Sequence, residues 1–281
     1  MRFFPHTNTA RLLAYGAATL AFAAHPSITQ AAQPSATGGT LTVVREPGTD
    51  AAWDEYVKKQ KFIPMFEELA ASISGSIHLP NDLIARFRNC GEANAFYSAQ
   101  TNEITMCYEL IATVHTNISA AGGDEEEIEG EVMGAILFFF LHELGHGLVH
   151  QLDLPTTGRE EDAVDDLASI IMLAADEDDG DDSTEEGFGA LMLSSAAVQF
   201  GDMASSPEAF ENIVFWGEHS LDAQRMYHLI CMIYGSNPEI YAAMVGDEAL
   251  PKARADQCPA EFQQRQRNWN RLLEAHFKEG N

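Results

Sequence analysis

The residues most able to do chemistry are His142, Glu143 and His146. They stand in Leu141-His142-Glu143-Leu144-Gly145-His146, an H-E-x-x-H pattern. Residues four apart lie on one face of a helix, about 6 Å apart along its axis. Two imidazoles so placed can meet one metal ion from the same side. Glu143 lies beside them and can reach a water on that ion. The cation draws the water's pKa towards neutrality and the carboxylate takes its proton. This donor set points to hydrolysis assisted by one Zn2+ ion.

A hydrolytic zinc site takes three protein ligands and keeps one position open. His150 extends the i, i+4 series, but eight residues from His142 is about 12 Å along the axis, too far for one ion. It reads as a polar group at the helix end. The longer H-E-x-x-H-x-x-G-x-x-H pattern fails as well, because Val149 and Leu152 occupy its last two positions. The better source is Gly158-Arg159-Glu160-Glu161-Asp162-Ala163-Val164-Asp165-Asp166. Leu154-Pro155 and Gly158 break the first helix, so a second helix can return antiparallel with its acids facing the two His. Glu161 is the first choice as ligand, with Asp165 one turn on to accept the outer N–H of an imidazole. Asp162 with Asp166 is the same pattern shifted by one, and Glu160, Asp162 and Asp165 stay open as ligands.

The motif helix needs a particular setting. Its middle, MGAILFFFL, is apolar on every side, so it belongs inside the protein. Two His and a Glu there are expensive without a metal to satisfy them. Its start, DEEEIEG from Asp124, suits the positive end of a helix dipole. Upstream, Trp53 to Ala71 carries apolar residues at helical spacing, with Pro64 as a break or kink. Ser72 to Ile77 alternates loosely, as a strand would. Ala95-Phe96-Tyr97 and Glu103 to Cys107 form the arms of a hairpin around Ser98 to Asn102. A helix follows from Tyr108 to Ala121, ended by Gly122-Gly123. Downstream, helices are expected over about 159–175, 187–204, 207–216, 219–234 and 259–277, with an acidic loop at Asp176 to Glu186. The expected fold class is α+β, mostly α. A small N-terminal antiparallel sheet packs on the active-site helix, and a helical C-terminal half follows.

Composition narrows the function classes. Sixteen Lys and Arg oppose 43 Asp and Glu, for a net charge of −27. Such a surface repels phosphate backbones and anionic lipid heads, which excludes nucleic-acid and membrane-surface binding as leading readings. Arg2 and Arg11 precede and flank an apolar run from Leu12 to Ala24, and Ala21-Phe22-Ala23 or Thr29-Gln30-Ala31 offers a cleavage site. Residues 1–31 read as a signal peptide, too short in their apolar part to span a bilayer stably. Residues 32–50 read as a flexible linker with a short strand at Leu41 to Val44, and residues 51–281 as one domain. The expected location is outside the cytoplasm, periplasmic or secreted, with no stable membrane insertion after cleavage. Four cysteines in an exported chain favour two disulfides, and proximity pairs Cys90 with Cys107 and Cys231 with Cys258. A zinc site built from all four is the alternative, though neither pair has C-x2-C spacing.

HELGH followed by Glu161-x-x-x-Asp165 resembles the gluzincin metallopeptidases, the thermolysin-like enzymes. Asn94-Ala95-Phe96-Tyr97 resembles the edge strand along which those enzymes bind substrate. CGEANAFY, ITMCYEL, the HELGH helix, EEDAVDDLA and HSLDAQRMYHLICMIYG together resemble a bacterial metallopeptidase family of unknown function, over about residues 60 to 275. One departure is the short spacing, since only 14 residues separate His146 from Glu161. The gluzincin resemblance implies a zincin-like fold and a peptide or protein substrate. It implies zinc on His142, His146 and Glu161, Glu143 as general base, and Asp165 supporting a histidine. It implies His219 as the group that holds the oxyanion, with Arg225 binding a substrate carboxylate or bracing acids near the zinc. Asn94, Ala95, Phe96 and Tyr97 would hold the peptide extended. Two other classes stay open: a catalytically silent zinc-containing binding or scaffold protein, and a zinc amidase acting on cell-wall material.

Overall fold

The computed structural model describes residues 38–49, 51–59, 62–177, 187–205, 215–246 and 249–278. The expected leader, the expected acidic loop past Glu177 and the expected helix at 207–216, up to residue 214, lie outside the described residues. The rest is an α+β fold, mostly helical, with a four-stranded sheet.

The sheet comprises β1 (Leu41–Arg45), β2 (Leu83–Arg88), β3 (Ala95–Ser98) and β4 (Glu103–Cys107), in the order β1-β2-β4-β3. It is mixed, and the expectation of an antiparallel sheet is corrected. β1 and β4 both run parallel to β2, and only the hairpin β3–β4 is antiparallel. The physical reason lies in the connections. Parallel neighbours need a long crossover, and the helices between β1 and β2 supply one. β2 carries an alternating pattern, with Leu83, Ala85 and Phe87 buried and Ile84, Arg86 and Arg88 partly so. That period-two signal fits a strand, and the sequence reading passed over it. The short strand expected at Leu41 to Val44 is present as β1. Leu41–Arg45 is an outer strand, tied at its start by Thr40 N–H to Asp82 Oδ1 (2.9 Å) and Leu41 N–H to Ser74 Oγ (2.9 Å).

α1 (Ala51–Lys59) and α2 (Phe62–Ser76) precede β2. Pro64 sits in the first turn of α2, where its missing N–H has no intrahelical partner to lose, and the span expected as one helix is divided just ahead of it into α1 and α2. Ser72–Ser76 is the last turn of α2, against the expectation of a strand. Phe62, Phe66, Ala70 and Ile73 are the buried stripe, and their spacing is helical. After β4 come α3 (Tyr108–Ala121) and α4 (Glu125–Gln151). Asp124 and Glu127 form a capping box at the start of α4. α4 ends at a Schellman-type turn. Asp153 takes a left-handed φ of 51°, and Leu154 N–H returns to Val149 C=O at 3.0 Å. α4 is long and apolar enough to cross a membrane, yet 78% of its most apolar window is buried inside the protein. Phe66 stacks between Phe87 of β2 and Phe140 of α4 (5.1 and 4.7 Å between centroids), which seats α4 on the sheet.

The helical half comprises α5 (Glu160–Glu177), α6 (Phe188–Ser205), α7 (Asp222–Ser236), the short α8 (Lys252–Ala255) and α9 (Cys258–Leu273). Gly145, inside the H-E-x-x-H pattern, lets α5 press close to α4: a Cβ there would stand 2.7 Å from Val164 Cβ. Trp269 Nε1–H donates to Ala163 C=O (3.1 Å), joining α9 to α5. Both expected disulfides are present. Cys90–Cys107 closes the loop before the hairpin, and Cys231–Cys258 joins α7 to α9. Glu109, in the first turn of α3, accepts from Cys90 N–H, Gly91 N–H and Asn89 Nδ2.

Candidate metal centre

α4 and α5 cross so that His142, His146 and Glu161 face one another. Among the described residues these three form a group able to hold a metal ion. The two Nε2 atoms lie 3.3 Å apart, and Glu161 Oε2 stands 3.2 Å from the first and 3.4 Å from the second. Metal–ligand arms of about 2.1 Å at tetrahedral angles set ligand atoms about 3.4 Å apart. The separations therefore fit one small ion.

The protonation pattern fits too. His142 Nδ1 meets Asp165 Oδ1 at 2.7 Å, and His146 Nδ1 meets Glu160 Oε1 at 2.7 Å. A carboxylate on Nδ1 holds the proton there, so each neutral ring presents its Nε2 lone pair to the centre. Two lone pairs and a carboxylate oxygen converging within 3.4 Å repel one another unless a proton or a metal cation joins them. Glu161 Oε2 is also buried without an aligned hydrogen-bond donor among the described residues. The donor set fits a divalent metal.

The acids around the rings leave their mark on the ionisation of each group. Burial pulls His142 down, but its bonds to Asp165 and Glu161 outweigh that and raise it to about 9. His146 is raised for the same reason by Glu161 and Glu160, again against burial. Burial lifts Glu161, and three imidazoles overcome it and hold the carboxyl far below its ordinary range. Burial likewise opposes ionisation of Asp165, but His142 and Arg225 bring it down to about 2. Glu143 goes the other way. It is 8% exposed, and burial pushes its carboxyl up despite the neighbouring imidazoles.

Arg225, on α7, is buried. Its Nε and Nη2 reach Asp165 Oδ2 (2.8 Å) and Oδ1 (2.7 Å), and its guanidinium lies 4.1 Å over the Phe200 ring. Of the two roles expected for Arg225, this contact is of the kind that braces an acid beside the centre. A bidentate arginine holds the acid that in turn orients His142. His219 lies just before α7, half-exposed. Its Nε2 is 2.9 Å from Glu161 Oε2, and its ring stacks on His142 at 5.9 Å between centroids. Two further bonds fasten its segment to the start of α5: Arg159 Nη1 to His219 C=O (3.2 Å) and Ser220 Oγ to Asp162 Oδ1 (2.6 Å).

β3 is an edge strand lying against α4. Cys107 N–H bonds Asn94 C=O, and the alternation of an antiparallel ladder then turns the N–H and C=O of Ala95 and Tyr97 outward. Asn94 is exposed at the head of the strand, and Phe96 spends its backbone on Thr105. Asp162 faces Ser220, and Asp166 faces His228 and Arg265, so the register shifted by one turns away from the rings. His150 bonds the Tyr97 hydroxyl at 2.9 Å and takes no part in the centre. Sequence reasoning missed Glu160 as the partner of His146. The signal was its place beside Glu161 in the first helical turn.

Neither curated proteins nor solved structures give a match to the chain. A family profile described as "Putative metallopeptidase" does match, over residues 47–273, a span that holds strands β2 to β4, both metal-facing helices and the His219 segment. The chain belongs to that metallopeptidase family.

Proposed function

We propose that this protein is a zinc-dependent peptidase of gluzincin type with a zincin-like arrangement, acting outside the cytoplasm on peptides or proteins. The observation that carries the reading is the convergence of His142 Nε2, His146 Nε2 and Glu161 Oε2 beside a buried, raised Glu143. In the proposed assignment His142, His146 and Glu161 hold one zinc ion, and Asp165 and Glu160 fix the two imidazole tautomers. Imidazole and carboxylate donors in this number suit zinc. Zinc so held would supply Lewis acidity, acidifying water and polarising a peptide carbonyl.

The chain's own residues do the rest. Glu143 accepts the proton of the attacking water and delivers it to the departing amine nitrogen. A carboxyl lifted by burial suits both halves of that transfer near neutral pH. His219 offers an N–H to the oxygen that gains charge as the carbonyl is attacked. An extended peptide pairs along β3 through the outward groups of Ala95 and Tyr97, with Asn94 reaching its backbone at the head of the strand. The two disulfides favour an oxidising location. A silent zinc scaffold would need no buried acid beside the ligands, and Glu143 speaks for turnover.

Glu143→Gln is expected to bind one zinc per chain, as the parent does, and to lose at least about 10²–10⁴-fold in peptide hydrolysis. Metal content by elemental analysis and cleavage of a peptide library, each with and without chelator, check this. Full cleavage by the variant, or chelator-insensitive cleavage by the parent, rejects the mechanism.

A further inference from the structure

Behind the metal-facing side of α5, residues of α5, α7, α8 and α9 border a pocket of about 690 Å³. Three of the chain's 16 basic residues line it, Arg225, Arg254 and Arg265. Three acids of α5 line it as well, Asp162, Asp165 and Asp166. Arg254 gives Nη1 and Nη2 to Glu261 (2.7 Å each), and Arg265 gives Nη1 to the same acid (2.9 Å). Arg254 Nε and Arg265 Nη2 make no hydrogen bond among the described residues, and the two side chains stay 31% and 28% exposed. Asp166 Oδ1 and His228 Nε2 lie 2.8 Å apart, both buried and neither with an aligned hydrogen bond among the described residues. One helical turn earlier, about 6 Å along α5, Asp162 accepts from Ser220 through Oδ1. Its Oδ2 is unbonded among the described residues. Tyr227, itself exposed, stands on the pocket wall.

We infer that this pocket binds a short free peptide, with both termini charged, as an effector of the metal centre. Guanidinium N–H groups left over from internal pairs are donors for a carboxylate, and Arg254 and Arg265 present them together. Asp162 Oδ2 is an acceptor for an ammonium. A purely anionic ligand meets three aspartates here, in the field of a chain of net charge −27. A purely cationic one meets three arginines. A zwitterion matches both signs and, neutral as a whole, is not repelled. The volume lies in the range of about 300–1,000 Å³ that takes up small ligands. Tyr227 adds apolar contact for a side chain, which a bare ion does not use. Two supports of the centre belong to the same lining. Arg225 holds Asp165, which holds His142, and Ser220 beside His219 is held by Asp162. A ligand that draws on Arg225 or Asp162 changes how firmly those supports are held. The binding itself stands without the peptidase reading. With that reading, the occupant belongs to the class of molecule that the enzyme releases.

Titration calorimetry with tri-alanine on the full zinc-loaded chain carrying Glu143→Gln, which suppresses turnover, tests the site. Saturable binding with Kd below about 1 mM is expected. The N-acetylated and the C-terminally amidated peptides should each bind at least about tenfold more weakly. Arg265→Met should weaken tri-alanine at least about tenfold, and Tyr227→Ala, which touches no ion pair, about threefold. The metal-free chain should still bind it. Binding that vanishes with the metal would put the peptide at the centre and overturn the inference. So would equal binding of the amidated peptide, or displacement by inorganic phosphate at equal concentration. Saturating tri-alanine should also shift the zinc affinity at least about threefold, read by chelator competition, and zinc should shift the tri-alanine affinity by the same factor. An unchanged zinc affinity refutes the effector role. A parent that cleaves no peptide, yet passes these binding tests, would reject the peptidase reading and leave the pocket assigned.

Discussion

α5 carries two acid pairs of identical spacing, and they meet opposite fates. Glu161 and Asp165 face α4 and the two imidazoles. Asp162 and Asp166 face the other way, towards Ser220 and towards α7 and α9. Around Asp166 the positive charge is permanent: Arg265 Nε lies 2.8 Å from Oδ1, with His228 Nε2 at 2.8 Å. Arg265 and Arg254 in turn share Glu261, the latter through two bonds of 2.7 Å. Around Glu161 there are only imidazoles, and carboxylates on their Nδ1 atoms turn two of the three lone pairs inward. Arginine cannot give up its proton, so the outer acid always faces a matching charge, although Asp166 Oδ1 and His228 Nε2, like Glu161 Oε2, have no aligned hydrogen bond among the described residues. The inner one is complete only with a cation. A metal site is thus marked by converging electron pairs, and the count of acids and histidines does not separate the two faces.

The largest expected effect breaks that contrast at its centre. Glu161→Ala should lose zinc to below a tenth of the parent's occupancy after dialysis. Asp166→Ala should keep full occupancy and lose about 1–2 kcal/mol of stability through its unpaired partners. Elemental analysis and denaturant midpoints read both. Zinc retained by the first variant and lost by the second would exchange the roles of the two faces.

A smaller effect grades the inner face. Asp165→Asn should weaken zinc affinity about 10–100-fold, because the oriented N–H of His142 then meets an amide. Glu160→Gln, whose acid is more exposed and serves His146, should fall at the low end of that range, about tenfold. Competition with a coloured chelator measures both. The reverse order would mean that His146, and not His142, is the ring whose orientation matters more.

The smallest effect sharpens the outer face. Arg254 holds the Glu261 carboxyl down at about 2, with Arg265 adding to it against burial. A depressed carboxyl stabilises the fold above its unfolded pKa of about 4.3 and loses that contribution as pH falls towards the folded value. The urea midpoint of Glu261→Gln should therefore trail the parent's at pH 6, and the gap should close between about pH 4.5 and 2. A gap that stays constant over that range would remove Glu261 ionisation as its cause.

The legible part of the protein is the part encoded by local patterns. H-E-x-x-H sits on a helix because its neighbours are apolar at every helical angle, and the acidic start of α4 is a capping box in the fold. The hairpin arms Ala95–Ser98 and Glu103–Cys107, and the near-neighbour disulfides, follow from turn residues and proximity. Strand β2 was legible as well, in the alternation of Leu83, Ala85 and Phe87, yet was passed over. Its parallel pairing was not legible, because partners 42 residues away in β1 and 19 away in β4 leave no local trace. Ser72–Ser76 misled because five residues are compatible with either period when read alone.

By itself, then, the chain's order of residues determined which side chains could bind a metal and that two of them share a helical face. Charge, turn chemistry and hydrophobic period act over a few residues, and these are short-range decisions. Only the tertiary structure decided which acid of α5 completes the set, that Arg225 braces Asp165, and that the Tyr97 hydroxyl meets His150. Those choices depend on the rotation of α5 about its axis and on how closely Gly145 lets it approach. A turn of about 100° per residue separates Glu161 from Asp162, and packing between helices far apart in sequence sets that angle.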